Sequence, residues 1–455
     1  MHFIVLRYNK MQEQRGNTKY YLVQKGKIMS VLKGIVKKYN DTSLIVRIVI
    51  GLIIGAALGV AVPGAKGLSV FGDMFVGALK AVAPILVFVL VIASLCQSSS
   101  KLDRRFGLVI VLYLAGTTLG GLTAVVGSSI FPQTITFAKA AASETNPPSG
   151  FAEVFHNLLM NLVDNPVSAL VNANYLGILA WAVILGLALK IYAADSTRRF
   201  MSDLSDAVSQ AVRWVINLAP FGIMGLMFTN VSSNGLAIFK DYGSLLLLLI
   251  GCMFFAVLIV NPLLCFIILR RNPYPLLMRC LKESAVMAFF TRSSAANIPV
   301  NLKLCEKLGL DEDMYTVSIP LGATINMNGA AITIAVMTMA ACHTLHIQVD
   351  IASSVVLCVL AALSAAGASG VAGGSLMLIP MACSLFGISN DLAMQVVGVG
   401  FIVGVIQDSL ETALNSSGDV FWTATAEYKT WMRQGKELPT FLGGSRQVGD
   451  RKSVV

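Results

Sequence analysis

Charged residues are scarce in this 455-residue chain. Asp, Glu, Lys and Arg make up 13% of it, against about 25% in soluble domains, and 56% of the residues are hydrophobic. Apolar runs long enough to cross the ~30 Å hydrocarbon core of a bilayer recur along the sequence. This composition excludes an ordinary soluble protein and predicts an all-α polytopic membrane protein.

Histidine is rare as well, with four residues, and the eight cysteines show no metal-ligand spacing. Most cysteines lie inside apolar runs, where a free Cys behaves as a small hydrophobic residue. His343 and His346 could share a metal ion, but no further ligand lies near them in the sequence. This favours the end of a helix at the membrane interface, and we expect no resident cofactor.

The net charge of +10 could indicate a nucleic-acid partner. The Lys and Arg residues, however, lie in short loops and tails between apolar runs, as membrane topology requires, so we expect the lipid bilayer and no nucleic acid. Residues 1–43 are basic throughout and have no sustained apolar core, which predicts a cytoplasmic arm rather than a signal peptide. The alternation of basic loops places both termini in the cytoplasm.

Residues 44–270 contain six apolar runs, which predict six transmembrane helices. Their approximate bounds are 44–62, 70–96, 106–131, 173–192, 208–231 and 242–269.

The pattern changes after residue 270. Residues 284–301 are polar at their centre and have basic residues on both sides. A transmembrane helix would place one basic flank outside the cell, whereas a re-entrant helical hairpin returns to the cytoplasm. Its polar tip is tolerated at membrane depth only if it lines a cavity. Residues 314–341 then cross outward, interrupted at 322–329.

A second hairpin is predicted over residues 351–386, which are broken by glycines at 367–374. As one straight helix this run would measure about 54 Å, longer than the bilayer core, yet it is too short for two crossings. A hairpin entering from the outside fits both the length and the topology.

The last apolar run, residues 391–424, carries a polar stripe and precedes a cytoplasmic tail, 425–455. Residues three, four, seven and eleven apart share one face of a helix. The stripe consists of Asp408, Glu411, Thr412, Asn415 and Asp419. Ionisable groups at membrane depth usually face a partner or a cavity, which favours a binding site. The alternative is that this half of the helix has left the bilayer and is solvated.

The region 271–424 therefore reads as hairpin, helix, hairpin, helix, with the two hairpins entering from opposite faces. Broken helices at corresponding positions of two inverted halves are typical of the midplane site of a secondary transporter. The alternative interpretation is ten ordinary transmembrane helices with some polar residues.

The groups at these breaks suit a zwitterion bound beside a cation. Helix N-termini donate N–H groups to a carboxylate, and unwound carbonyls at 322–329 with Asp419 suit Na⁺. Asp408 can neutralise an ammonium group, Thr412 can accept a hydrogen bond from it, and the Asn415 amide can donate to a carboxylate. Arg292 could bind an acidic substrate or be held internally by Glu411 and Asp408; we favour the internal pair.

Four ordered motifs, at residues 291–299, 326–329, 370–374 and 408–419, resemble those of the dicarboxylate/amino acid:cation symporter family. The resemblance covers roughly residues 44–424 and is strongest to the bacterial serine/threonine:sodium branch. It implies eight transmembrane helices plus two opposed re-entrant hairpins, as in glutamate transporters, a homotrimer and an elevator-like movement. It also implies sodium-coupled import of serine and threonine across the bacterial inner (cytoplasmic) membrane, and no enzymatic activity.

The resemblance also implies individual roles. The expected substrate contacts are Ser293 and Ser294 on the first tip, Val371 and Gly373 on the second tip, and Asp408, Thr412 and Asn415 on the last helix. The expected Na⁺ ligands are the carbonyls of Gly322, Asn326 and Asn415 with the Asp419 side chain. A second Na⁺ site would use Thr324 and carbonyls around residues 365–368.

Two positions depart from the family pattern. Glu411 stands where members with acidic substrates have Arg, and a carboxylate there repels an acidic side chain. Asn328 replaces an aspartate and Ala330 a threonine, so fewer Na⁺ ions per cycle are expected. An alternative function is symport of dicarboxylates or acidic amino acids through Arg292. A remote one is an intramembrane hydrolase with Ser293 or Ser294 and Asp408, although no general base is placed for it.

Overall fold

The computed structural model describes residues 42–97, 104–137, 156, 159–366 and 373–444, and all regular structure in these residues is helical. The predicted N-terminal arm thus lies almost entirely outside the described residues, as do residues 445–455.

The first half of the chain forms the helices Leu44–Ala61, Ser69–Gln97, Arg104–Ile130, Pro166–Val171, Tyr175–Tyr192, Asp195–Asn217, Ala219–Asn234 and Ile238–Phe255, the last continuing through a π turn at Ala256–Val260 into Asn261–Leu269. The second half forms Tyr274–Cys280, a π turn at Leu281–Ala285, Val286–Thr291, Ser294–Lys307, Glu312–Ile325, Asn328–Thr344, Ile351–Ala365, Ile379–Ser384 and Asn390–Arg433.

Six helical segments of the described chain are long and apolar enough to cross a membrane, where eight were predicted. The six are Lys66–Cys96, Phe106–Ile130, Tyr175–Tyr192, Ala219–Leu269, Glu312–Thr344 and Asn390–Arg433. The difference has two sources. Val46–Ala61 is a shorter apolar helix, and Ala219–Leu269 contains the end of one predicted helix and all of the next.

The helix predicted over 208–231 is split in the structure. Asp195–Asn217 ends before Leu218, and Ala219–Asn234 begins with Pro220 at its second position. Proline has no N–H to donate and its ring collides with the carbonyl four residues earlier, so it is tolerated in the first turn of a new helix. The preceding helix, Asp195–Asn217, is amphipathic and packs against Ser69–Gln97.

Two helices joined at a sharp break form what we call the first helix pair, residues 274–307. Arg292 has a left-handed backbone with φ of 51°, and Ser293 is extended and caps the second helix, its Oγ accepting from the Ala296 N–H at 3.2 Å. The two arms lie side by side and are joined by a hydrogen bond from Ser284 Oγ to Asn301 Oδ1 at 2.6 Å.

The second helix pair, residues 351–384, has the same outline. Ile351–Ala365 forms one arm, and a 3₁₀ turn at Ser375–Leu378 followed by Ile379–Ser384 forms the other. Ser364 Oγ lies 3.3 Å from Met381 Sδ across the arms. The predicted glycine-rich tip falls largely on residues 367–372, outside the described residues.

The helix Asn390–Arg433, called the final helix below, contacts both helix pairs and the two halves of the helix broken at Asn326 and Met327. Its 44 residues span about 66 Å at 1.5 Å per residue. The boundary predicted at residue 424 lies inside this helix, since Tyr428 is buried and its hydroxyl donates to the Leu308 carbonyl at 3.0 Å.

Candidate functional site

The polar stripe of the final helix is buried against the helix breaks. The exposure of its five residues ranges from 0% for Asp419 to 7% for Thr412. This burial does not fit the alternative in which this half of the helix is solvated. Each described break of the second half places a polar group on the stripe, so residues far apart in sequence form one cluster.

Asp408 is bound by both helix pairs. Arg292 donates from Nε to Asp408 Oδ2 at 2.6 Å and also approaches this oxygen with a terminal guanidinium nitrogen. The Gly373 N–H, beside the tip of the second helix pair, donates to Asp408 Oδ1 at 3.2 Å. The carboxylate therefore lies between Arg292 and Gly373, and it is the group predicted to bind the substrate ammonium group.

Of the two carboxylates expected to hold Arg292, the guanidinium lies on Asp408. Glu411 binds other donors. The Oε2 atom of Glu411 accepts from Thr333 Oγ1 at 2.7 Å, Ser375 Oγ at 2.8 Å and Gln407 Nε2 at 2.5 Å. The described donors all lie on Oε2 and none on Oε1. Glu411 thus joins the broken helix, the second helix pair and the final helix.

Asn415 and Thr412 complete the middle of the stripe. Asn415 Oδ1 accepts from the Gly329 N–H at 2.7 Å, and its amide nitrogen lies 3.4 Å from Met327 Sδ. A thioether is a weak acceptor, so the amide hydrogens keep donating capacity for a carboxylate. Thr412 Oγ1 donates to the Asp408 carbonyl at 2.8 Å, which leaves its oxygen free to accept.

Asp419 and Asn326 form a pocket of oxygen atoms suited to a hard cation. Asn326 Nδ2 donates to Asp419 Oδ1 and to the Asn415 carbonyl, both at 2.9 Å. Asp419 Oδ2 and Asn326 Oδ1 are buried and have no hydrogen-bond partner within the described residues. Buried acceptors are normally satisfied, and two unsatisfied oxygens on hydrogen-bonded residues, one of them a carboxylate, are the type of ligand that Na⁺ or another hard cation prefers.

Gly322 is required beside this pocket. A Cβ at this position would lie 2.8 Å from Asp419 Oδ1 and 2.7 Å from Tyr113 Oη. The Gly322 carbonyl accepts from the Asn326 N–H at 2.9 Å and has a second lone pair. Thr324, expected at a second Na⁺ site, donates from Oγ1 to the Leu321 carbonyl at 2.7 Å. The carbonyls expected to share that site lie partly outside the described residues.

The serine contacts expected on the first tip lie at the start of the helix Ser294–Lys307. Ser293 caps this helix and Ser294 is buried. On the second tip, Gly373 has φ of 73° and binds Asp408, whereas Val371 lies outside the described residues.

A second polar cluster, not predicted from the sequence, holds the first helix pair on the final helix. Asn297 Nδ2 donates to Ser416 Oγ at 2.8 Å, and Asn301 Nδ2 donates to the Ser416 carbonyl at 2.9 Å. Ser284 bonds to both asparagines, and all four side chains are fully buried. The four-residue spacing of Asn297 and Asn301 was the available signal, because it places two amides on one helix face.

A third contact that was missed comes from the first half of the chain. Tyr113 Oη donates to the Ser318 carbonyl at 3.0 Å and lies 3.0 Å from Thr423 Oγ1. The fully buried phenol thus fixes Arg104–Ile130 beside the Asp419 pocket.

Known proteins match nearly the same part of the chain as the four motifs predicted. A profile of the sodium:dicarboxylate symporter family matches residues 44–428. The serine/threonine transporter SstT of Bifidobacterium adolescentis is 61% identical over 422 residues, which cover 93% of this chain and 98% of that protein. The protein of the same name from Streptococcus thermophilus is 55% identical over 402 residues, 88% of this chain and 100% of its own.

A third relative, SstT of Streptococcus agalactiae serotype III, is 57% identical over 396 residues, 87% of this chain and 98% of its own. These matches confirm the resemblance drawn from the four motifs and set aside the hydrolase alternative, because the family consists of transporters. The chain belongs to the sodium:dicarboxylate symporter family.

Proposed function

We propose that this protein is a sodium-coupled symporter that imports serine and threonine by alternating access. The observation that carries the proposal is the convergence of both helix pairs and the broken helix on one buried acidic stripe of the final helix. The names of relatives that are 55–61% identical support the choice of substrate.

The amino acid binds between the two tips. Asp408 and Thr412 hold its ammonium group, and Asn415 holds its carboxylate with the N-terminal turn that begins at Ser293 and Ser294. Val371 and Gly373 belong to the tip that closes over it. The position of Asp408 between Arg292 and Gly373 supports this arrangement, since the carboxylate already binds one cation there, the Arg292 guanidinium.

Sodium binds at Asp419 with oxygens of Gly322, Asn326 and Asn415, and a second ion uses Thr324. The two unpaired oxygens of Asp419 and Asn326 support the first site. Because Asn415 contributes its side chain to the amino acid and its carbonyl to the cation pocket, each ligand favours the conformation that binds the other.

In the membrane, we propose eight transmembrane helices with the two helix pairs as re-entrant hairpins that enter from opposite faces. The protein is a homotrimer in the bacterial inner membrane, with both termini in the cytoplasm. The basic loops and the polar breaks support this topology.

The competing proposal is symport of acidic substrates, and the geometry of the site disfavours it. Arg292, the cation that would bind an acidic side chain, pairs with Asp408 until an ammonium group displaces it, so the charge of Glu411 decides against an acidic side chain. Glu411 adds a second buried carboxylate three residues along the same face, which repels an anion.

Calorimetric titration of the purified protein tests the proposal. Serine and threonine are expected to bind in NaCl and to lose at least about tenfold in affinity in KCl, whereas aspartate does not compete. Equal serine affinity in both salts contradicts sodium coupling, and effective competition by aspartate supports the acidic-substrate alternative.

A further inference from the structure

Arg292 and Asp408 form an almost completely buried ion pair at the centre of the site. The side chain of Arg292 is 13% exposed and that of Asp408 is 4% exposed. Arg292 is also the residue at which the first helix pair turns, with a left-handed backbone that is uncommon for a residue with a side chain. The guanidinium therefore belongs to the residue that forms the turn between the two arms.

The space beside this ion pair is too small for an amino acid. A cavity of about 20 Å³ is lined by Arg292, Gly373 and Asp408 together with Leu44, Ile48 and Ile216 from the first half of the chain. Such a volume holds about one water molecule. An ammonium group can reach Asp408 Oδ2 only if the guanidinium leaves.

We propose that Arg292 neutralises Asp408 in the empty carrier, in the place that the ammonium group of the substrate takes during transport. This inference rests on the proposed symport function and adds the return step of the empty carrier. Burying a carboxylate without a partner is strongly unfavourable, so an empty site with Asp408 alone would resist closure. With Arg292 on Oδ2 and the Gly373 N–H on Oδ1, the carboxylate has a cationic partner and a backbone donor, so the empty carrier can bury it.

Because Arg292 serves only the empty carrier, net uptake and exchange should depend on it differently. Net uptake requires the empty carrier to return, and this step uses the Arg292–Asp408 pair. Exchange of internal for external serine never passes through the empty carrier, because the substrate ammonium group neutralises Asp408 in both directions. Removal of the guanidinium should therefore stop net uptake and spare exchange.

The test uses the full-length protein in proteoliposomes, with labelled serine and Na⁺. In Arg292→Ala, net uptake driven by a Na⁺ gradient is expected to fall at least about tenfold, while exchange at saturating serine on both sides stays within about threefold of wild type. Serine affinity stays equal or rises, because a competitor for Asp408 is gone. Arg292→Lys, which keeps the charge, is expected to restore part of the net uptake.

Lys307→Gln is the matched control. It removes a cation from the same helix pair, but Lys307 pairs with Glu283 at the surface, with its side chain 55% exposed, so both modes should be unchanged. A parallel loss of exchange and net uptake in Arg292→Ala, or net uptake that stays at the wild-type level, overturns the inference. If Arg292→Ala does not fold, Arg292→Gln is judged by the same ratio. Absence of Na⁺-dependent serine exchange in the wild type instead contradicts the proposed function.

Discussion

Asn326 donates from its side-chain amide to Asp419 Oδ1 at 2.9 Å, and each residue keeps one buried oxygen without a partner in the described chain. The bond joins the break of one helix to the final helix 93 positions later in the sequence. Buried acceptors without a partner are costly unless another group satisfies them. This relationship is the physical basis for assigning the sodium site here.

Asp419→Asn tests that assignment. The loss of the carboxylate charge should raise the Na⁺ concentration needed for half-maximal serine binding at least about tenfold. Titration of serine binding at several Na⁺ concentrations measures it. Asp391→Asn, the same change at the exposed start of the same helix, is the control, with its side chain 74% exposed. An unchanged Na⁺ requirement in Asp419→Asn would remove Asp419 from the site.

Asp408→Asn tests the ammonium contact. An amide keeps the shape but loses the charge, so serine affinity should fall about 10- to 100-fold, as for a hydrogen bond to a charged group. Because this variant also leaves Arg292 without its carboxylate, the double variant Asp408→Asn, Arg292→Gln should bind serine equally weakly but unfold at a higher temperature than the single variant. Wild-type affinity in the single variant would contradict the role of Asp408.

Glu411→Gln tests the discrimination against acidic substrates. Glutamine keeps an acceptor for Thr333, Ser375 and Gln407 and removes the negative charge. Inhibition of labelled serine uptake by aspartate should strengthen at least about tenfold, while inhibition by threonine changes little. If aspartate remains without effect, the charge of Glu411 does not set the selectivity.

The breaks in the second half of the chain could be predicted from sequence, because glycine, serine and asparagine interrupt apolar runs at residues 292–293, 326–327 and 367–374. The stripe could be predicted from helical spacing alone. The choice of Arg292 between Asp408 and Glu411 could not, since both carboxylates lie on one face and only packing decides which one the guanidinium reaches.

Other features depend on contacts that no local pattern specifies. The bonds of Ser416 to Asn297 and Asn301 join positions more than 110 residues apart. The final helix runs beyond the predicted end at residue 424 because Glu427 and Tyr428 find buried partners on the segment at 308–311. Pro220 is a sequence signal for the break at Leu218. The apolar residues on both sides of it, however, favoured the prediction of a single membrane helix.

Ser416→Ala tests the cluster that holds the first helix pair. Removal of the hydroxyl leaves Asn297 without an acceptor on the final helix, and the free energy of unfolding should fall by about 1–3 kcal/mol. Ser417→Ala is the neighbouring control, because among the described residues Ser417 Oγ bonds to the carbonyls of Ala413 and Leu414, both in its own helix. Thermal unfolding in detergent compares them, and equal midpoints would contradict a role for the cluster.

Asn328→Asp tests the ion count. Asn328 Nδ2 donates to the Gly116 carbonyl at 2.8 Å and to Asn261 Oδ1 at 3.2 Å. An ionised aspartate cannot donate, so its carboxylate would face the Gly116 carbonyl and Asn261 Oδ1, and a bound cation would relieve the repulsion. The Na⁺ dependence of serine uptake should become steeper, with a higher Hill coefficient than in the wild type. A Hill coefficient that stays at the wild-type value would show that no ion is added at this position.

The most direct test of the account is the uptake of labelled serine into proteoliposomes under an inward Na⁺ gradient. The account predicts accumulation above the external serine concentration, which collapses when the gradient is dissipated with a sodium ionophore or replaced by K⁺. Equilibration of serine to equal concentrations, at the same rate with and without the gradient, would contradict it.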